Sequence, residues 1–148
     1  MSAASRLQPL LRLNEWRQLE TRQRLVECRS DLEAATARRD DCVRRLDATF
    51  ASLGRITATG VPIDLSRYHL LGDVAGGALG AARRVEAECA AKQAALEAQS
   101  RAVAGLRRER DVLDRRAREL QEGAAAVAQR QDQESGDELW LLTLGSRA

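Results

Sequence analysis

Arginine is the residue type most available for chemistry here: twenty-three arginines stand among 148 residues, beside one lysine, one histidine and three cysteines. A guanidinium keeps its charge and donates through a rigid fork, so it binds carboxylates and phosphates but does not shuttle protons. The single histidine, His69, follows Tyr68 at the start of an expected helix. One histidine assembles neither a His-based metal site nor a triad. Cys28 and Cys42 lie two heptads apart, about 21 Å along a helix, which is too far to share a metal or a disulfide. Together with Cys89 they read as free, buried thiols. No Gly-x-x-x-x-Gly-Lys loop occurs, and no Gly-x-Gly-x-x-Gly follows a strand. The carboxylates lie on solvated helix faces beside arginines and converge into no cleft. The expectation is a non-enzyme with no metal, no cofactor and no small-molecule substrate.

The charge is placed unevenly although the net is only +2. Residues 1–29 carry six Arg against three Glu, and residues 101–118 carry seven Arg against three acids. Residues 119–148 reverse the sign, with six acids against two Arg. Aromatics make up 3% of the chain, and none interleaves with the arginine-rich segments as base stacking would require. Binding of nucleic acid is therefore the weaker reading of these arginines. Charged residues at 31% with abundant Ala, Leu, Arg and Glu suit a coiled coil better than a globular core.

The elements that would position these charges are legible as heptads. Stepping by three and four from Tyr68 through Leu71, Ala75, Ala78, Ala82, Val85 and Cys89 to Val127 meets fifteen apolar residues in eighteen positions. Only Lys92, Gln99 and Arg110 break the pattern, and no proline interrupts it. A seam repeating every 3.5 residues faces a partner helix when both supercoil left-handedly, and this one would extend roughly 90 Å. The first half has its own seam, from Leu25, Cys28, Leu32 and Ala35 to Leu53 and Ile56. Phe50 stands beside Thr49 as a candidate for that layer, and Leu10, Leu13, Trp16 and Leu19 suggest a shifted register upstream.

Between the seams, Gly60 supplies a helix stop, Pro62 prevents continuation, and Asp64 or Ser66 can cap the next helix. Two long amphipathic helices with a short connection fold back antiparallel. The predicted fold is all-α: a long two-helix antiparallel coiled-coil hairpin with a short acidic C-terminal tail. The hairpin covers residues 1–132, with helix one at about 8–57, the corner at 58–65 and helix two at about 66–130. The tail covers 133–148, and Gly136 is expected to interrupt the helix there. Projection about the corner puts Gln23 near Gln99 and Arg12 near Arg110, as polar layers that fix register. Lys92 and Arg39 are expected to snorkel. Gly72, Gly76, Gly77 and Gly80 crowd one segment, each costing about 1 kcal/mol relative to Ala in a helix. Two readings stand for it: a close-packed Ala/Gly seam, or a loosened tip that bends on docking.

Two stretches carry a family resemblance. One is Leu10-Leu11-Arg12-Leu13-Asn14-Glu15, followed by Glu20 and Leu25. The other is Arg130-Gln131-Asp132-Gln133-Glu134-Ser135-Gly136-Asp137-Glu138-Leu139. With the hairpin pattern they resemble the FliJ/YscO stalk proteins of flagellar and virulence type III secretion. Gln133, Asp137, Glu138 and Leu139 match that family's C-terminal motif, while Glu134 stands where a basic residue is usual.

The resemblance implies an antiparallel coiled coil similar to the shaft of a rotary ATPase. One end would sit in the pore of the hexameric secretion ATPase, and the corner would reach toward the cytoplasmic domain of the export-gate membrane protein. It also implies a possible escort role for export chaperones. On this reading the ATPase contacts are Arg12, Arg17, Arg22, Arg101, Arg107, Arg108, Arg115 and Arg116, whose basic character also follows from charge alone. The family's gate contacts fall on Leu71, Ala75, Ala78 and Ala82. The composition leans toward an injectisome rather than a flagellar system.

The leading expectation is thus a stalk protein coupling a type III secretion ATPase to its export gate. The alternatives are a generic self-associating coiled-coil scaffold and a basic nucleic-acid-associated helical protein. No apolar run reaches the ~18 residues of a membrane span, and the opening residues lack a signal-peptide core. A cytoplasmic protein, peripheral to the inner-membrane apparatus and not itself inserted, is expected.

Overall fold

The computed structural model describes residues 4–58, 60 and 62–146. A 3-10 turn, Ala4–Leu7, leads into helix α1, Gln8–Ile56, and a short corner leads to helix α2, Leu65–Gly145. The two helices pack against each other, and no strand occurs among the described residues. Pro9 stands in the first turn of α1, where a missing N–H breaks no intrahelical bond. The predicted hairpin is the observed fold.

The chain divides into two compact units, residues 21–102 and residues 1–20 with 103–148. In the first, the α1 seam from Leu25 to Ile56 and the α2 seam from Leu71 to Gln99 are half-buried or buried at every heptad position. Ala35, Ala75 and Cys89 are its buried apolar residues. Cys28 and Cys42 are half-buried, and all three thiols are free. Tyr68, the first residue of the expected α2 seam, is exposed instead. Phe50 does not replace Thr49: it is exposed while Thr49 stays half-buried. The seam already has its layer there, and position 50 turns about 100° away.

The corner follows the expected punctuation. The Thr57 N–H donates to the Leu53 carbonyl at 3.0 Å, closing α1. Gly60 adopts φ +92°, a conformation that glycine tolerates best. Asp64 is the N-cap of α2: its Oδ1 accepts the Arg67 N–H at 3.2 Å, and its carbonyl accepts the Tyr68 N–H at 2.9 Å. Thr59 and Val61, part of the predicted corner, lie outside the described residues.

In the other unit the register differs from expectation. Leu10, Leu13, Trp16 and Leu19 are exposed, with Trp16 at 60% and Leu19 at 65%. Their spacing of three drifts about 60° per step around a 3.6-residue helix, so they cannot share one face. The inward residues are Leu7, Leu11, Asn14 and Gln18, which continue the Leu25 seam backward without a shift. They meet α2 along Val103, Leu106, Arg110, Leu113, Ala117 and Leu120.

Beyond Leu120 the seam has no partner, and every described residue from Gln121 to Ser146 is exposed, including Ala124 and Val127. The helix nevertheless continues through the expected break at Gly136 and ends at Gly145, not near residue 130. The expected tail at 133–148 is thus helical as far as Gly145. A lone glycine costs about 1 kcal/mol in a helix, which does not by itself end one.

Candidate interaction surfaces

Lys92 and Arg110 in the α2 seam each find an acid on α1, and neither predicted layer, Gln23 with Gln99 or Arg12 with Arg110, forms. Lys92 Nζ reaches Asp31 at 3.1 Å, and the lysine side chain as a whole is 37% exposed. Arg110 bonds Glu15 at 2.9 Å and Asp114 at 3.5 Å, and Arg12 is exposed. Gln23 is likewise exposed and turns along its own helix to Glu27, so it forms no layer with Gln99. A cation entering a seam finds an acid across it more favourable than a second cation or an amide. Arg38 with Glu88 adds another cross-helix pair. Arg39 stays beside Asp40, whose hydrogen bond and charge hold the guanidinium above its ordinary pKa.

The buried polar feature that the sequence reading missed is Asn14 with Gln18, 2% and 6% exposed. Asn14 Nδ2 donates to the Leu106 carbonyl at 3.1 Å, and its Oδ1 accepts from Gln18 Nε2 at 2.7 Å. The signal was available: stepping back from Leu25 by four, three, four and three lands on Thr21, Gln18, Asn14 and Leu11. The apolar Leu10, Leu13, Trp16 and Leu19 drew attention from it.

The eight candidate arginines are all exposed. Arg12 and Arg17 on α1 share a unit with Arg107, Arg108, Arg115 and Arg116 on α2, whereas Arg22 and Arg101 belong to the other unit. The Asn14–Leu106 and Glu15–Arg110 contacts hold the two helices together in this arginine-bearing segment. Arg116 also pairs with Glu119 at 3.0 Å.

Near the corner, Leu71, Ala75, Ala78 and Ala82 face the other helix, with Ala75 buried. Apolar side chains open to solvent there include Ile63, Leu65, Leu70, Val74 and Leu79. Gly72, Gly76 and Gly77 are exposed, and a Cβ added to any of them meets nothing within 4 Å. The glycines are therefore not required by close helix approach. Small residues instead leave a shallow groove of about 530 Å³, lined by Cys42, Arg45, Ala48, Thr49, Val74, Gly77, Ala78 and Ala81. His69 is exposed and stacks edge-on with Tyr68, their ring centroids 6.1 Å apart. Gln133, Asp137, Glu138 and Leu139 of the C-terminal motif are exposed on the unpartnered part of α2.

Among the described residues no cluster of His, Cys, Asp and Glu could hold a metal ion, and no helix is long and apolar enough to cross a membrane. No family model matches the chain, and no characterised protein or solved structure matches it either.

Proposed function

We propose that this chain acts by binding, as the central stalk of a type III secretion ATPase complex, with the arginine-bearing hairpin segment entering the hexamer. The observation that carries this reading is the placement of Arg12, Arg17, Arg107, Arg108, Arg115 and Arg116. All six are exposed on two helices joined by direct contacts within one unit. The resemblance of the hairpin and its two motifs to FliJ/YscO stalks supplies the identity of the partner. Exposed charge of one sign raises encounter rates and fixes docking register, and both effects weaken with salt. On this reading the chain hydrolyses nothing and carries no cofactor.

Its contacts toward the export gate run through the solvent-facing Leu70, Val74 and Leu79, since Leu71, Ala75, Ala78 and Ala82 face the partner helix. Escort of export chaperones and a site beside the inner membrane belong to the same proposal. The test reverses Arg12, Arg108 and Arg115 to Glu, with circular dichroism as the folding control. Stimulation of the cognate ATPase and pull-down should both fall, most clearly at low salt. A folded triple variant that stimulates as well as the original chain at low salt overturns the proposal.

A further inference from the structure

The unit formed by residues 1–20 and 103–148 contains two surfaces of opposite charge that do not cover each other. Its paired part, residues 4–20 and 103–118, carries nine arginines against five carboxylates. Exposed among those charges are Leu10, Leu13, Trp16, Leu19 and Val112. Its unpartnered part, residues 121–146, carries five carboxylates against one arginine. That helix ends in Leu139, Trp140, Leu141, Leu142 and Leu144, all exposed, with Leu142 at 70%. Twenty-odd residues of regular helix with no packing contact and an apolar end lack the tertiary support on which most helical stability rests. A partner surface is missing.

Charge decides among the occupants. Two unpartnered segments laid against each other would set five carboxylates and one arginine of one copy against the same set of the other, a net repulsion in either direction. A membrane surface is negatively charged and repels the acids that flank the apolar end. The arginine-rich paired part of a second copy offers the opposite charge and its own exposed Leu and Trp side chains. Aromatic and Arg residues are the types enriched at the centres of protein interfaces.

We infer that this chain forms a twofold dimer in which residues 121–146 of each copy dock on the paired part, residues 4–20 and 103–118, of the other. The inference does not rest on the stalk reading. The unpartnered helix is about 39 Å long. The receiving segment, residues 103–118, is about 24 Å long, so each contact engages roughly two-thirds of that helix, and the twofold axis repeats it. Because each copy gives one acidic helix and receives one, the arrangement closes at two and leaves no end to propagate.

The test uses the full chain and two reciprocal variants, with mass measured by light scattering or sedimentation at tens of micromolar. One variant is Asp137→Lys with Glu138→Lys; the other is Arg12→Glu with Arg108→Glu. All four side chains are exposed, so circular dichroism should show the paired part of the hairpin still helical, with any loss no larger than the share of residues 121–146. The original chain should run at twice 16.3 kDa at low salt and shift toward the single-chain mass at high salt. Each variant alone should run as a monomer, because both of its contacts then oppose like charges. An equimolar mixture should recover the dimer, since one contact keeps the original charge pairing and the other has both signs exchanged. As a second probe, Leu141→Asp with Leu142→Asp should abolish the dimer while the paired part of the hairpin stays helical. A single-chain mass for the original protein at low salt, or a dimer that the reversals leave intact, overturns the inference.

Discussion

Replacing Gly72, Gly76 and Gly77 together by alanine tests how far the corner-proximal part of α2 is held by packing rather than by its own backbone. The three glycines are helical and exposed, and an added methyl meets nothing within 4 Å at any of them. No clash therefore opposes the substitution. Each replacement removes a backbone-entropy penalty of ~0.8–1.0 kcal/mol, so the triple variant should gain roughly 2.5–3 kcal/mol in this segment. For a chain of this length a stability change of 1 kcal/mol moves Tm by about 2–4 °C, which sets the expected rise at about 5–12 °C if unfolding is cooperative. Thermal melts followed by circular dichroism read the whole chain, and amide exchange across residues 70–82 reads the segment itself. Before substitution that segment should exchange faster than 96–113, where Leu96, Val103, Leu106 and Leu113 enter the seam. In the variant its exchange should slow. An unchanged or lower Tm, with exchange no slower, refutes the reasoning: the glycines would then be meeting a contact that alanine spoils.

Asn14→Ala removes the acceptor of buried Gln18 and the donor to the Leu106 carbonyl, and should cost about 1–3 kcal/mol in urea unfolding. Asp64→Ala takes the cap from α2 and should cost ~0.5–2 kcal/mol, read in the same titration. Gly60→Ala places a side chain at φ +92° and should destabilise the corner despite open space around it, whereas alanine at Gly72 should not. In a background without other cysteines, Leu53→Cys with Leu71→Cys should crosslink within one chain at high dilution, since both positions lie in the seam of one unit. Crosslinks formed only between chains would contradict the hairpin.

The heptads made the hairpin readable because a 3.5-residue seam needs a partner and the only chain-breaking punctuation fell once, at Gly60, Pro62 and Asp64. The seam residues from Leu71 to Leu120 on α2 and from Leu25 to Ile56 on α1 follow directly from that period. What failed was reading by hydrophobicity where the seam is polar. Leu10, Leu13, Trp16 and Leu19 are more apolar than Asn14 and Gln18, yet the phase set by Leu25 turns them outward. Gly136 misled in the opposite sense, since one costly residue was read as a helix end. The partner of Arg110 was missed because projection by residue number locates a layer only to within a turn. Glu15 sits at that resolution from Arg12. The arginines could be listed from sequence, but their division between the two units needed coordinates.

The Asn14–Gln18 layer has a kinetic consequence. Water can replace both of its hydrogen bonds once the helices part, so its loss on opening is smaller than the loss of a buried leucine layer. The opening turns of α1 are therefore a low-cost place for the two helices to separate, a latch beside the leucine layers that follow it. Each excursion would uncover Leu106, Leu113 and Leu120 on α2 for the lifetime of the opening. Amides before Gln18 should exchange at rates set by this local event and insensitive to mild denaturant, while those around Ala35 should follow the global unfolding of their unit.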